Sequence, residues 1–435
     1  MISLSSYISA SAFTILVCAN GFNSAAAGDN TKLTLLYEFK SGADGCNPYS
    51  TLAMDKADAL YGMTINGGRY GYGQAFRLAP PAAGKTKWTK AALYDFSMGK
   101  GGYPLDRFFE KGDLILDRQG AVYGVASHGG AFGSGVVFRI APPPAGETRW
   151  RYTVLWSFTG QAGGDTPMGG LVMDAAGALY GTTEEGGANG VGAIFRLAPP
   201  TAGKTQWTYK IIYSFKGDAD GANPVAPLIL DGQGALYGTT PFNGYGKNGT
   251  VFKLTPPAAG RTLWAKTLLY RFNGRPDGRN PQASLVMDPH GVLYGTTQTG
   301  GLYDQGSIFQ LTPPAQAGGR WKKTQLYSFW PLRPQPYNMG QPMAPLAIDA
   351  KGVLYGTTGL VSLWAAVFKF SPPAAGHTSW TVTTLHHSDG LEHDVGAIFS
   401  GVVRNSRGTL FGTSQNGGYG VSDISAGCGS VYQLE

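Results

Sequence analysis

A chain of 435 residues that is 43% hydrophobic and 14% charged can bury a large core, and its length alone suggests two or three domains. Its 66 glycines and 27 prolines do not follow a collagen period. The formal charge of +7 is spread without a long basic run or a recognisable module, which argues against a nucleic-acid partner and suits an acidic glycan or an anionic cell surface.

The chain begins with a stretch, positions 1–27, that holds no Asp, Glu, Lys or Arg, is apolar from Ala10 to Cys18, and ends in Ala25-Ala26-Ala27. This is the pattern of a secretory signal peptide with a small-residue cleavage site, and the amino terminus supplies its positive charge. No apolar run reaches the roughly 18 residues of a membrane span. Val17 before Cys18 does not match the small residue that precedes a lipoprotein cysteine. The mature chain is therefore expected to be secreted or to lie in the periplasm or cell envelope, as a monomer without a membrane span.

After a lone β-type run from Leu33 to Phe39 and Cys46, a phrase of the type Gly-x-Leu-Tyr-Gly-Thr-Thr recurs. It is anchored on Tyr61, Tyr123, Tyr180, Tyr237, Tyr294, Tyr355 and Phe411, at spacings of 62, 57, 57, 57, 61 and 56 residues. A period of this size marks an array of supersecondary units that bury their apolar faces against one another, and it overrules the count of two or three domains. In the third unit Leu171-Val172-Met173 reads as strand a, and Ala178 to Thr183 as strand b after a tight turn. Ala193 to Leu197 is strand c, stopped by Pro199 and Pro200, and Trp207 to Phe215 is strand d. Four antiparallel strands per unit describe a blade of a β-propeller. A β-helix has shorter rungs, and the 3.6-residue period of a helical solenoid is absent.

The chain closes with Gly429 to Leu434, a c strand with no d strand after it. The run from Leu33 to Phe39 can supply the missing strand, which gives an all-β, seven-bladed propeller over residues 28–435 with its ring closed by the N-terminal strand. That pairing brings Cys428 near Cys46. In an exported chain a disulfide between them is expected, and across so long a loop it stabilises by up to roughly 5 to 6 kcal/mol.

Gly-x-Leu-Tyr-Gly-Thr-Thr, then Gly-Gly, then Val/Ile-Phe-Arg/Lys-Leu-x-Pro-Pro, resembles the GloVer tandem-repeat family of bacterial exported proteins over nearly all of the mature chain. Thr182-Thr183, Thr239-Thr240, Thr296-Thr297 and Thr357-Thr358 match fully; Met63-Thr64, Val125-Ala126 and Thr413-Ser414 drift. The resemblance implies a propeller without an assigned activity. Members often carry a C-terminal surface anchor, which is not expected here because the chain stops at Glu435 straight after its last strand. The unit is also similar to a kelch repeat, with Gly67-Gly68, Gly129-Gly130 and Gly186-Gly187 preceding Trp88, Trp150 and Trp207. The copper chemistry of one kelch-like oxidase requires a cysteine-linked tyrosine with histidine ligands, a setting neither mature cysteine has. No cofactor is expected.

The d-to-a and b-to-c loops share one face, and the a-to-b turns and Pro-Pro corners share the other. Variable loops on a rigid frame are the usual place for binding residues. The b-to-c loops carry Tyr70, Tyr72, Phe132, Phe242, Tyr245, Tyr303, Trp364 and Tyr419, beside Asn66, Asn189, Asn243 and Asn416. Flat rings next to amides suit a glycan site; the alternative is that the rings pack loops onto neighbouring blades. Asp218 and Asp220 invite a calcium reading, against the ordinary use of Asp-Gly in turns. His386, His387 and His393, interleaved with Asp389, Glu392 and Asp394, are a second weak metal or acid-base candidate, without a known motif spacing. The aspartates that end strand a, such as Asp174, are expected to cap turns, and the basic column on strand c, such as Arg196, to pair with blade-edge carboxylates. The function expected is non-catalytic binding of a carbohydrate or cell-surface protein. The alternatives are a polysaccharide lyase or glycoside hydrolase on the same face, and a structural or adhesive repeat protein.

Overall fold

The computed structural model describes residues 31–97, 112–242, 248–316, 318–331, 338–359, 365–388, 396, 398, 400–417 and 427–435. They form seven four-stranded antiparallel blades in a ring, a β-propeller, with no α-helix among them. Blade 3 shows the plan: a, Val172–Met173; b, Leu179–Thr183; c, Ala193–Ala198; d, Thr208–Ser214. Each strand pairs with the next, with Val172 opposite Tyr180 and Tyr180 opposite Arg196. The segment expected to be a signal peptide, positions 1–27, lies outside the described residues.

The repeated phrase is explained by packing inside the blade. A Cβ on Gly181 would stand 2.6 Å from the Phe195 ring of strand c and 3.0 Å from Leu171, so only glycine lets that phenylalanine cross strand b. The same collision recurs at Gly62 with Phe76 and at Gly295 with Phe309. Strand b is buried along its whole length in blade 3. Each c-d pair also carries one register shift at an aliphatic residue, Ile212 in blade 3 and Leu269 in blade 4. Such bulges add twist and place the aromatic that follows, Tyr213 or Tyr270, toward the next blade.

The aspartate that ends strand a is a turn cap, as expected. Asp174 Oδ1 accepts from the Ala176 and Ala178 amides, both at 2.9 Å, and its Oδ2 accepts from the Tyr180 hydroxyl at 3.0 Å. Arg196 Nε then donates to that hydroxyl at 3.1 Å. Blade 1 repeats the relay with Asp55, Tyr61 and Arg77, whose guanidinium lies 4.0 Å from the carboxylate. Burial raises the pKa of both tyrosines, and the arginines oppose that shift.

One apolar cluster lies between each pair of neighbouring blades, so the core is a ring of interfaces and no blade has a core of its own. Closure follows the expected scheme. The N-terminal strand Leu33–Glu38 pairs with the last strand Ser430–Leu434, and Phe39 and Phe411 pack against Leu60 and Phe76 of blade 1. Lys32 and Glu435 exchange backbone hydrogen bonds at 3.0 and 3.2 Å. Cys46 and Cys428 form the disulfide, joining positions 382 residues apart.

Candidate functional site

The d-to-a and b-to-c loops do share a face and are stitched together there. Backbone bridges join Asp165 to Glu185, Ala222 to Phe242 and Arg279 to Thr299. The double glycine is required by this stitching: Gly186 has φ 76°, and a Cβ on it would stand 2.8 Å from the Gly164 Cα. In blades 1, 2, 3 and 5 the tip of the b-to-c loop is then held from below by the end of strand d. The amides of Arg69, Ala131, Ala188 and Leu302 donate to Asp95, Ser157, Ser214 and Ser328 at 3.1, 3.3, 3.1 and 3.2 Å.

The next residue in each of these tips faces solvent. Tyr70 is 53%, Phe132 62% and Tyr303 45% exposed, in blades 1, 2 and 5. Asn189 holds the same place in blade 3, but its amide nitrogen donates to the Phe215 carbonyl at 2.8 Å. Phe242 is exposed at the end of strand b, a different place in its loop. Tyr72 is half-buried and packs on the core between blades 1 and 2. Tyr245, Trp364, Tyr419 and Asn243 lie outside the described residues.

Two exposed apolar residues join this set without having been singled out in the sequence. Leu302 precedes Tyr303, and Trp330 follows the buried Phe329, so blade 5 presents Leu302, Tyr303 and Trp330 together. Aligning the units offers the signal for Trp330: the residue after the phenylalanine of strand d is Lys40, Ser97, Thr159, Lys216 or Asn273 in the other blades. Beside this patch Arg279 pairs with Asp304 at 3.1 Å. Arg69 lies over the Tyr70 ring at 5.6 Å. The amides of Asn66, Asn47 and Asn416 are instead linked to one another, at 3.0 and 3.1 Å, bracing the loops of blades 1 and 7.

Asp220 is engaged in a contact between blades. It accepts from Tyr213 of its own blade at 2.7 Å, from the Lys216 amide at 2.9 Å and from Lys266 Nζ of the next blade at 2.8 Å. Burial pushes its carboxyl up, but the hydrogen bonds from Lys266 and Tyr213 outweigh that and hold it below the usual carboxylate range. Burial lowers the pKa of Lys266, with Asp220 opposing. The same clamp joins Asp44 to Lys90 and Asp277 to Lys323. Asp218 is exposed and takes no part. His386 and His387 end strand d of blade 6 with ring centres 6.4 Å apart, and His393, Asp389, Glu392 and Asp394 lie outside the described residues. Among the described residues no three His, Cys, Asp or Glu side chains gather to hold a metal.

The chain is similar in fold to a protein of Bacteroides uniformis ATCC 8492 provisionally named a 6-phosphogluconolactonase, at 13% identity, covering 87% of this chain and 98% of that one with a TM-score of 0.51. It is also similar to a protein of unknown function from Dyadobacter fermentans DSM 18053, at 10% identity over 93% of this chain and 98% of that one, TM-score 0.44. A third is PorZ, a surface component of the type-IX secretion system of Porphyromonas gingivalis, at 15% identity over 87% of this chain and 47% of that one, TM-score 0.44. At these identities the likeness concerns the fold alone. No curated protein matches the sequence. The model of the Gloeobacter/Verrucomicrobia repeat matches residues 20–209, 110–360 and 204–426, which overlap into one continuous stretch, and the chain belongs to that repeat family.

Proposed function

We propose that the protein is an exported, non-catalytic module that binds carbohydrate on its d-to-a and b-to-c loop face. The observation that carries this reading is the set of braced loop tips, in blades 1, 2 and 5, that hold Tyr70, Phe132 and Tyr303 out in water. Rings held in this way stack on a sugar with little further ordering, which is where much of the cost of binding usually lies. Leu302 and Trp330 widen the platform in blade 5, and the Arg279 and Asp304 pair offers polar groups at its edge for hydroxyls. Export through the first 27 residues is supported by the Cys46–Cys428 bridge, a bond suited to an oxidising compartment.

A glycan array probed with the purified protein, followed by mass spectrometry of each retained sugar, tests this. Retention of intact glycans, lowered about tenfold by Tyr303→Ala through the loss of one stacking ring worth about 1 to 1.5 kcal/mol, is the expected result. Cleaved sugars would replace the binding module with a lyase or hydrolase, and no retention at all would favour adhesion or scaffolding. N-terminal sequencing of the exported protein is expected to begin at Gly28.

A further inference from the structure

The charge of the molecule is unevenly divided between its two faces. The Pro-Pro corners that join strand c to strand d all lie opposite the aromatic loops, and those of blades 1 to 5 each raise an exposed cation: Lys85, Arg149, Lys204, Arg261 and Arg320. Glu147 is the one carboxylate in these corners, and Arg151 pairs with it at 2.7 Å. On the same face backbone amides and tyrosines engage the aspartates that end strand a, with a strand c cation close to Asp55 and Asp231; Asp58 pairs with Arg407 at 2.8 Å, and Glu435 is exposed at the end of the last strand. The loop face, among the described residues, sets Lys40, Arg69, Lys216 and Arg275 against Glu185, Asp218 and Asp304, so its exposed charges nearly cancel.

We infer that the corner face docks on an anionic lipid surface. The corners of blades 1 to 6 share one length from the first proline to the tryptophan; the cation follows the corner glycine in blades 1, 3 and 4 and stands directly before the tryptophan in blades 2 and 5. Cations spaced one blade apart around a rim suit a two-dimensional array of headgroups; a linear polyanion is better served by a continuous groove. A second observation points the same way. Leu263 is 84% exposed at the corner of blade 4, between Arg261 and Trp264, in the place that Lys87, Arg149 and Arg320 hold elsewhere. A lone exposed leucine signifies little by itself. Here it projects from a basic rim and is followed by the exposed Leu268, which lines a groove running to Arg320 and Trp321 of blade 5. An apolar tip amid cations is the arrangement that seats a peripheral protein at the boundary of headgroup and acyl chain.

This docking uses the face opposite the proposed glycan platform, so the two readings stand or fall separately. The purified protein is centrifuged with phosphatidylcholine vesicles, with and without phosphatidylglycerol, at low and high salt. Binding is expected only with phosphatidylglycerol and is lost at high salt. The combined variant Lys204→Gln, Arg261→Gln, Arg320→Gln is expected to bind about 100-fold more weakly, taking about fivefold per cation near an anionic surface. Leu263→Ala is expected to weaken binding about tenfold. Both variants keep the parent melting temperature and glycan retention, because these side chains are exposed at the corners. Equal binding to pure phosphatidylcholine, undiminished binding by the combined variant, displacement by millimolar inorganic phosphate, or binding to heparin without binding to vesicles would each overturn the proposal.

Discussion

The interfaces between blades 3 and 4 and between blades 2 and 3 use one backbone geometry and two chemistries. In the first, Lys266 is buried, with 6% of its side chain exposed, and is paired with Asp220, which also accepts from Tyr213 of the preceding blade. In the second, Tyr209 occupies the place of Lys266, stacks on Trp156 at 4.5 Å and donates to the Gly163 carbonyl at 2.9 Å. Gly163 stands where the other loop has Asp220. Lysine therefore comes with a loop aspartate and tyrosine with a loop glycine, as physical chemistry requires: a buried ammonium needs a counter-charge, and an aromatic ring needs only a face to stack on. The Asp-Gly turns that resemble calcium loops in the sequence are thus one half of a clamp between blades.

The largest test of this comparison lies at the closing interface, where blade 7 meets blade 1 through the Asp44 clamp and a disulfide together. Cys428→Ser is expected to destabilise by up to about 5 to 6 kcal/mol, read as the shift in denaturant midpoint against the parent. A change under 1 kcal/mol would mean that strand pairing and the Asp44 clamp hold the ring without the disulfide.

Removing one partner of a clamp comes next. Asp220→Ala strands a buried ammonium and is expected to cost about 3 kcal/mol, whereas Lys266→Tyr combined with Asp220→Gly converts the clamp into the stacked form and is expected to stay within about 1 kcal/mol of the parent. Equal loss in both variants would break the comparison.

The two interfaces also differ in their response to pH. The carboxyls of Asp44 and Asp220 are held below the ordinary value of 3.8, so they contribute stability above that pH which is lost as pH falls through their folded values. The Lys266→Tyr, Asp220→Gly variant is expected to unfold less steeply in acid than the parent, measured by melting temperature from neutral pH downward. At the alkaline end Tyr294, pushed up to about 12 chiefly by burial, contributes stability that is complete below pH 10 and lost as pH rises toward 12.

The smallest expected effect is a gain. In blades 4 and 5 buried hydroxyls pair across strands b and c, Thr240 with Thr250 at 2.7 Å and Thr297 with Ser307 at 2.8 Å. In blade 3 the buried Thr183 faces Ala193 and its hydroxyl has no partner. Ala193→Ser is expected to stabilise by about 1 kcal/mol in a thermal melt, and a loss there would show that the site is too tight for an added oxygen.

Much of the frame was legible in the chain because it is local and repeated. The glycine before Thr182, the proline stop at Pro199 and the Asp174 turn each act within a few residues, and repetition turned weak signals into a blade count. The candidate site was less legible. Tyr70 and Tyr72 stand two residues apart in one loop, yet one faces water and the other packs between blades 1 and 2. Exposure depends on which neighbouring blade lies beneath a loop, and no spacing records that. The amides of Asn66 and Asn189, expected to meet sugar hydroxyls, turn inward to bonds with Asn47 and Phe215.

By itself the amino-acid sequence determined the blade, the number of blades and the strand that closes the ring, since periodic apolar runs and chain ends with complementary strands permit few other solutions. The tertiary structure decided which charges meet. Asp220 and Lys266 are 46 residues apart in the chain and in contact in space, and the corner cations of five blades, scattered along the sequence, come to share one rim. Electrostatic and stacking energies fall off with distance in space, and the closing of the ring sets those distances.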